Sequence, residues 1–396
     1  MQRAPGPGFG VIPALSRLRR EPLQVIAELH REYGDVVRLG TGDLTVHLLG
    51  HPEHADHVLR RRHGNYDRQT RSADAIRLVT GESLLTNDGE EWRRHRLLMQ
   101  PAFNQVEPFA EGIERATEEM VDRWLARGGI VDVAAEMSHL TCTIVAKAFF
   151  GTDLQSDVIA LERLLPPILA GAYARSTAIF PLHRFVRDKP FDDARTKLGR
   201  IVEEIVSRKP EGTLLARMAD SLDDEELRNE TVALLLAGHE TTANALAWTF
   251  YLLATHRADA DPVCAFLEAI RLYPPIWIVE RRAIEEDEIG GYAIPEDSIV
   301  YVSPYILHRH EEFWPDAEAF RPERFAEDAR PPGYLPFGAG PHHCIGAGFA
   351  MMEARTIIPA VLRRCRLELS AIARVEPQAW ITLRPRHGVP LVVRRR

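Results

Sequence analysis

The feature that most constrains the fold of this chain is a run with helical spacing over residues 221–255. Acidic residues occupy 223–226, in its first turn, where carboxylates interact favourably with the helix dipole. From Val232 onward the run is apolar on nearly all sides, which predicts a helix buried along most of its length. Such a helix of roughly 30 residues is about 45 Å long at ~1.5 Å per residue, so it must cross a whole domain.

The composition is that of a globular protein. The chain has 396 residues, of which 45% are hydrophobic and 27% are charged, and this excludes disordered, collagen-like and coiled-coil classes. The net charge of −8 gives no reason to expect a nucleic-acid partner. No apolar run approaches the length of a membrane span, so we expect no membrane anchor. The 4 cysteines are too few for a disulfide framework, and we expect a cytoplasmic protein.

The periodicities predict a mostly α (α+β) architecture in a single domain, residues 1–396. Residues 52–280 are overwhelmingly helical in pattern, and a further helix is predicted over Ala347–Arg364. Small sheets are expected near both ends of the chain. The predicted strands are 36–39 and 44–49, a hairpin around Thr41-Gly42-Asp43, and 288–294, 298–303, 381–383 and 389–393.

A glycine-rich loop delivers Cys344 to the start of the Ala347–Arg364 helix. The loop, 337–346, reads Phe-Gly-Ala-Gly-Pro-His-His-Cys-Ile-Gly. Unpaired N–H groups at a helix start favour a thiolate, and Gly346 leaves a face that a flat ligand can approach. A single thiolate is the ligand that haem iron takes in oxygen-activating enzymes. The alternatives are a small buried hydrophobe, or zinc shared with the two neighbouring histidines, which close a tetrahedron poorly.

Five residues interrupt the apolar pattern of the long helix: Gly238-His239-Glu240-Thr241-Thr242. A glycine inside a helix costs about 1 kcal/mol relative to alanine. A buried carboxylate costs more unless it is paired, and threonine hydroxyls can bend a helix by bonding to its carbonyls. Three local rules broken in so short a segment indicate a functional site. A solvated notch or a helix–helix contact is the alternative interpretation.

The pattern Phe337-x-x-Gly340-x-His342-x-Cys344-x-Gly346 resembles the haem-binding loop of the cytochrome P-450 superfamily, soluble bacterial type. The motif is specific, and the likeness extends over essentially the whole chain, from Trp92-x-x-x-Arg96 to this loop. The resemblance implies the family's fold, with a long central helix. It also implies a heme b cofactor whose iron is axially ligated by Cys344, and O2 as co-substrate.

The resemblance further implies roles for individual residues. Glu240 and Thr241 would be a catalytic acid–alcohol pair that passes protons to dioxygen, and Glu268, Arg271 and Arg324 would form a structural triad. The residues expected to bind the cofactor are Trp92, Arg96, Ala237, Gly238, Arg281, Phe337, Gly338, His342, Cys344, Ile345 and Gly346. Those expected to line the substrate pocket are Leu84, Leu85, Leu234, Ile276, Ile278, Val279 and Ile381. Taken singly, many of these residues are equally typical of a core or of a solvated face.

The implied function is that of a haem-thiolate monooxygenase. It would insert one atom of O2 into a C–H or C=C bond of a largely apolar small molecule. The sequence has no flavin or iron–sulfur motif, so electrons are expected from a separate ferredoxin and its NAD(P)H-dependent reductase. We expect a monomer. The alternatives are a haem-binding sensor or carrier and a peroxide-driven peroxygenase, and the presence of Glu240 and Thr241 argues against the peroxygenase.

Two basic clusters stand out in this acidic chain. They are Arg93, Arg94 and Arg96, and Arg363, Arg364 and Arg366. We expect both clusters on the thiolate side of the cofactor, where they would steer an acidic electron-transfer protein. Ordinary solvated faces are the alternative interpretation.

The resemblance has a departure between the two helices that carry its central motifs. Thr242 and Glu268 are only 26 positions apart, fewer than the family commonly has. The stretch 208–217 is also short for its place. Both differences concern the surface and not the cysteine loop.

Overall fold

The computed structural model describes residues 2–7, 17–40, 45–151, 155–178, 188–327 and 330–396. No helix in these ranges is long and apolar enough to cross a membrane. The helices are α1 Pro22–Tyr33, α2 Pro52–Asp56, α3 Arg71–Thr80, α4 Gly89–Asn104, α5 Ala110–Arg127, α6 Val133–Phe150, α7 Gln155–Ser176, α8 Lys189–Arg208, α9 Leu214–Ala219, α10 Asp224–His256, α11 Pro262–Leu272, α12 Pro304–Leu307 and α13 Ala347–Arg364.

The predicted long helix is α10, which has 33 residues. It begins three residues later than predicted because Asp223 is its N-cap: the Asp223 carboxylate accepts from the backbone N–H groups of Glu225 and Glu226. The Glu226 side chain accepts from the Asp223 N–H in return, which completes a capping box. The helix packs against α6, α8, α11 and α13, and it is buried along most of its length as expected.

Small sheets surround this helical body. The strands are β1 Val36–Leu39, β2 Val46–Leu49, β3 Tyr66–Asp67, β4 Gly129–Asp132, β5 Val279–Ala283, β6 Asp287–Ile289, β7 Tyr292–Ile294, β8 Ile299–Val302, β9 Cys365–Leu369, β10 Pro377–Ala379, β11 Leu383–Pro385 and β12 Pro390–Arg395. One sheet has the order β1-β2-β8-β5-β3, with β2 and β8 parallel, and another has the order β4-β12-β9. β6 pairs with β7, and β10 pairs with β11.

Three strand predictions need correction. The predicted strand 288–294 is the hairpin β6–β7, because Gly290 and Gly291 both take positive φ and reverse the chain. The predicted strand 381–383 is shifted, since β11 begins at Leu383, the residue that pairs with Ala379. β3 and β4 lie inside the stretch predicted as helical, and only pairing with distant strands makes them extended. The predicted turn Thr41-Gly42-Asp43 lies outside the described residues.

Candidate active site

The loop before α13 holds Cys344 by backbone hydrogen bonds. The N–H of Cys344 donates to the carbonyl of Phe337 over 2.9 Å. Gly338 and Gly340 take φ of 71° and 70°, which side chains with a Cβ rarely adopt. A Cβ on Gly340 would also overlap the carbonyl of Leu59. The glycines are therefore needed for the path that presents the thiol.

Cys344 lies before the helix, and this alters its chemistry. α13 begins at Ala347 with Gly346 as its N-cap, so Cys344 is not in the first turn. Burial raises the pKa of Cys344, and neither the hydrogen bond from Gly346 nor the charge of Arg96 offsets it. The N–H of Gly346 lowers the pKa of Cys344, as expected for a helix start, but burial has the larger effect. A metal cation bound by Cys344 would lower the pKa of the thiol, because coordination drives deprotonation.

The face above the thiol is open to a planar group. A Cβ built on Gly346 would lie 3.9 Å from both Cys344 Sγ and Phe103 Cε1, with nothing nearer. Cys344 is accessible, yet burial has the largest effect on its pKa. A residue that faces an internal space has both properties. Ile345 packs against the main hydrophobic core and anchors the loop.

A group of cations gathers beside this loop. The Trp92 and His342 ring centroids are 4.2 Å apart. Burial, followed by the charges of Arg68 and Arg281, lowers the pKa of His342 to about 2. Burial and Arg68 likewise lower the pKa of Arg281 to about 10. The buried Nδ1 of His342 has no hydrogen-bond partner among the described residues. This cradle suits carboxylates such as the propionates of haem, which would compensate its charge.

Arg96 connects α4 to the cysteine loop. Its guanidinium donates to the carbonyl of His343 over 2.8 Å, and the charge of the Cys344 thiolate would stabilise it. Trp92 lies one helical turn earlier on the same helix, so α4 presents an indole and a guanidinium together. The structure thus brings together Trp92, Arg96, Arg281 and His342 around Cys344.

Sequence reasoning missed Arg68, which belongs to this cradle. It donates to the carbonyls of Leu84 and Leu85 over 3.0 and 3.1 Å and forms an ion pair with Asp88. No pattern in the sequence signals this role, because Arg68 stands in an irregular stretch and its partners lie about 20 residues on. Arg68 thereby holds the turn that carries two of the predicted pocket residues.

The acid and the alcohol of α10 make separate contacts. The buried Glu240 carboxylate accepts from Asn244 Nδ2 over 3.0 Å and from Thr382 Oγ1 over 3.1 Å. The Thr241 hydroxyl donates to the carbonyl of Ala237 over 2.8 Å, one turn back along the helix. Neutral donors, and not a cation, therefore satisfy this buried carboxylate. The two side chains do not hydrogen-bond to each other within the described chain.

Gly238 serves a helix–helix contact. A Cβ at this position would lie 3.1 Å from Cγ2 of Val145 on α6, which is closer than ordinary packing, so the Val145 side chain would have to shift slightly. This contact is the one that the alternative interpretation of the segment expects, and the predicted role of Gly238 in cofactor binding stays a prediction. Sequence reasoning missed Glu353 of α13, a fully buried carboxyl whose pKa burial raises well above its ordinary range although Thr242 opposes the shift.

Glu268, Arg271 and Arg324 meet in the interior. Glu268 pairs with Arg271 through two hydrogen bonds, 2.7 Å to Nε and 2.9 Å to Nη2. Arg324 Nε lies 3.4 Å from Glu268, and the backbone N–H of Arg321 donates to the same carboxylate over 2.9 Å. Arg271 also donates to the carbonyl of His308 over 2.8 Å. Both oxygens of the Glu268 carboxylate therefore accept charge-assisted hydrogen bonds from Arg271.

His308 links this triad to the cysteine loop, and it was not predicted. Its Nδ1–H donates to the Arg271 carbonyl over 3.2 Å, and its Nε2 accepts from the N–H of Leu335 over 2.9 Å. Burial lowers the pKa of His308 to about 3, so the ring is neutral and can serve both bonds. Leu335 in turn accepts from the N–H of Gly338.

The predicted pocket residues lie in different packing clusters. Leu84 and Leu234 are buried in the main core, Ile278 and Ile381 pack against the cluster beneath α1, and Val279 packs against a third cluster. Leu85 is 38% exposed and Ile276 is half-buried. The pocket therefore stays a prediction.

Comparison with known proteins identifies the family of this chain. The profile of the Cytochrome P450 family matches residues 2–259 and 265–388. Cyclooctatin synthase from Streptomyces melanosporofaciens is 32% identical over an alignment that covers 92% of this chain and 90% of that protein. Cyclooctat-9-en-7-ol 5-monooxygenase from the same organism is 29% identical, with 91% and 89% covered. The crystal structure of CYP175A1 from Thermus thermophilus superposes with a TM-score of 0.83 at 32% identity and covers 100% of both chains.

The fold and the cysteine loop define a haem-thiolate protein. The chain belongs to the cytochrome P450 family and is a monooxygenase of that family. The family profile is interrupted at residues 260–264, which comprise the end of the connection between α10 and α11 and the first residues of α11. The short segment noted in the sequence therefore contains the residues at which the family profile is interrupted.

Proposed function

We propose that this monooxygenase inserts one atom of O2 into a C–H or C=C bond of a largely apolar small molecule, with heme b held by Cys344. The observation that carries the proposal is that arginines gather beside one thiol and that Asp88 and Asp67 compensate the charge of Arg281 only in part. Bound haem supplies the iron at which dioxygen is activated. Trp92, Arg96, Arg281 and His342 would bind its propionates, and His308 would hold the loop through Leu335.

The side chains of α10 would manage protons and exclude water. Glu240 is buried, and its donors Asn244 and Thr382 hold the carboxylate in one orientation. Thr241 has a hydroxyl that can leave its bond to Ala237 and turn toward the cofactor face. The surrounding apolar residues keep bulk water away, so protons would arrive only through groups held by the protein.

The substrate class follows from the apolar lining and from the relatives. Leu84 and Leu234 are the buried aliphatic members of the predicted pocket. One relative is named for an alkene alcohol, cyclooctat-9-en-7-ol, which offers both C–H and C=C bonds. We take a compact, mostly hydrocarbon alcohol or alkene as the class to test first.

The proposed electron donor is a ferredoxin with its NAD(P)H-dependent reductase. The ion pairs of the two basic clusters are the basis for choosing the residues that it would contact. Arg94 is paired with Glu91 and Glu226, and Arg364 is paired with Glu118 and Asp122, so internal ion pairs neutralise much of both clusters. Arg93 is exposed and has no carboxylate partner among the described residues. Leu97, one turn along α4, is 66% exposed. These two residues are the proposed contact.

The first experiment is a carbon-monoxide difference spectrum of the dithionite-reduced protein. We expect a strongly red-shifted Soret band that Cys344→Ala abolishes and that Cys264→Ala, at another free cysteine, retains. A histidine-type band in the wild type would instead favour the sensor or carrier alternative. No haem band would remove the central claim.

Turnover distinguishes the two catalytic alternatives. NADPH-driven product formation with ferredoxin and reductase is expected to exceed peroxide-driven formation, and Glu240→Gln is expected to lower only the former.

Arg93→Glu should slow reduction by ferredoxin, whereas Arg200→Glu on α8 should not. Equal rates for the two charge reversals would exclude docking through Arg93.

A further inference from the structure

Three side chains that bear metal-binding atoms meet at the edge of the five-stranded sheet. His30 is in the last turn of α1, Asp35 immediately precedes β1, and His310 follows α12. Their ligand atoms all lie within 4.8 Å of one another. His30 Nε2 is 2.9 Å and His310 Nε2 is 3.3 Å from the same oxygen, Oδ1 of Asp35.

The His310 ring leaves a polar atom unsatisfied in either neutral tautomer. Its Nδ1 is buried and has no hydrogen-bond partner in the described part of the chain. With the proton on Nε2, the Nδ1 lone pair is buried without a donor. With the proton on Nδ1, the Nε2 lone pair faces the Asp35 oxygen, so two acceptors meet. A cation bound between His310 Nε2 and the Asp35 oxygen would interact with both lone pairs and so stabilise this second arrangement.

The three side chains are held by the surrounding backbone. A Cβ on Gly50 would overlap the His30 ring, so the absence of a side chain there creates the slot in which the ring lies. The N–H of Gly50 donates to the Asp35 carbonyl over 2.9 Å. The carbonyl of His310 accepts from two following N–H groups, each over 3.0 Å. Ligands held before binding lose little conformational entropy when an ion arrives.

We propose that His30, Asp35 and His310 bind one divalent transition-metal ion of the Zn²⁺ class, with water completing the coordination. Two imidazole nitrogens and one carboxylate oxygen form a donor set that suits Zn²⁺. Two ligand atoms on one tetrahedral zinc are about 3.3 Å apart when each bond is about 2.0–2.1 Å. The His310–Asp35 separation of 3.3 Å already has this value. The site would tie α1, β1 and the segment after α12 together.

An ion can reach this site from solvent. The side chains of His30 and Asp35 are 22% and 38% exposed, and that of His310 is 13% exposed. His51 is not a ligand of the proposed site, although its ring centroid is 5.5 Å from that of His310. Its Nδ1 accepts from the N–H of Glu53, and this places the ring proton on Nε2.

A second group with metal-ligand atoms, Glu91, His95 and Glu226, does not compete. The guanidinium of Arg94 bonds to both of its carboxylates, and His95 Nδ1 is used by Glu230. A cation would have to displace an arginine that is already paired twice. The Arg94 guanidinium therefore already supplies the positive charge that these carboxylates would otherwise take from a metal ion.

The test is a Zn²⁺ titration by calorimetry of tag-free holoenzyme that has been stripped with a chelating resin. In the wild type we expect saturable binding of one ion per chain and a zinc-dependent rise in the melting temperature. His30→Gln, Asp35→Asn and His310→Gln should each weaken the Kd more than about tenfold and abolish the rise. The matched control is His256→Gln, an exposed histidine at the end of α10, which should bind as the wild type does.

Two outcomes would overturn the proposal. Unchanged zinc binding in all three ligand variants would place the ion elsewhere. Absence of saturable binding in the wild type would leave these residues as a hydrogen-bond network only. Because glutamine and asparagine keep the hydrogen-bonding shape, the melting temperatures of the metal-free variants show whether each has folded. Zinc binding and the carbon-monoxide spectrum are separate measurements, and the spectrum of each variant should be unchanged. The zinc proposal can therefore fail while the proposed function holds, and the reverse.

Discussion

The imidazole of His95 and the carboxylate of Glu230 form a buried hydrogen-bonded pair between α4 and α10. Nδ1 of His95 lies 2.5 Å from Oε1 of Glu230, and the two side chains are 1% and 0% exposed. The same oxygen accepts from the N–H of Leu84 over 2.6 Å. One carboxylate therefore joins the central helix, the helix that carries Trp92 and Arg96, and the turn that carries the predicted pocket residues.

Removing this carboxylate should destabilise the protein strongly. Glu230→Ala is expected to lower the free energy of unfolding by about 3–5 kcal/mol, because it leaves the His95 ring and a buried N–H unpaired. Glu230→Gln, which keeps an acceptor, should cost less. Denaturant unfolding followed by far-UV circular dichroism measures both. A loss below about 1 kcal/mol for the alanine variant would contradict the role assigned to the pair.

The same pair should depend on pH in a defined direction. The hydrogen bond with Glu230 raises the pKa of His95 above its ordinary value of 6.5. A raised folded-state pKa contributes stability that is complete below the unfolded pKa and is lost as the pH rises through the folded pKa. The stability difference between wild type and Glu230→Gln should therefore shrink as the pH rises from about 6.5, the ordinary pKa of histidine, into the alkaline range. A difference that grows over this range would exclude a charged His95.

Breaking the triad should unfold the region behind the cysteine loop. Arg271→Lys loses the paired bonds to Glu268 and the bond to the His308 carbonyl, and we expect a loss of about 3–5 kcal/mol together with poor haem incorporation. The control is Arg321→Lys, whose exposed ion pairs contribute little to stability because solvent screens them. Equal losses in the two variants would show that burial of the Arg271 pair is not what matters.

Arg281 should have opposite effects on the apoprotein and the holoprotein. Its pKa is lowered to about 10, so its charge costs free energy without haem. Arg281→Met should stabilise the apoprotein by up to about 3 kcal/mol and accelerate haem transfer to excess apomyoglobin. Arg200→Met on α8 should change neither quantity. A variant that retains haem as firmly as the wild type would remove Arg281 from the cradle.

The sequence by itself predicted the elements whose signals are local. The bounds of α13 agree with the prediction at both ends, and α10 differs from its prediction only at its termini. Both rest on periodicity and on capping residues a few positions apart. The cysteine loop was equally readable, because glycine, histidine and cysteine at fixed spacing describe a backbone path directly.

Tertiary structure decided the features that depend on distant partners. Glu240 is satisfied by Thr382, His308 bonds to Leu335, and Arg68 faces Arg281, so each pair joins segments that no periodicity connects. At Cys344 burial outweighs the pKa-lowering N–H of Gly346, because the helix start is a local signal whereas burial is a property of the whole fold. The sequence predicted which residues would carry the chemistry. Packing alone decided their charge states and partners, because burial and pairing arise only when separate elements meet.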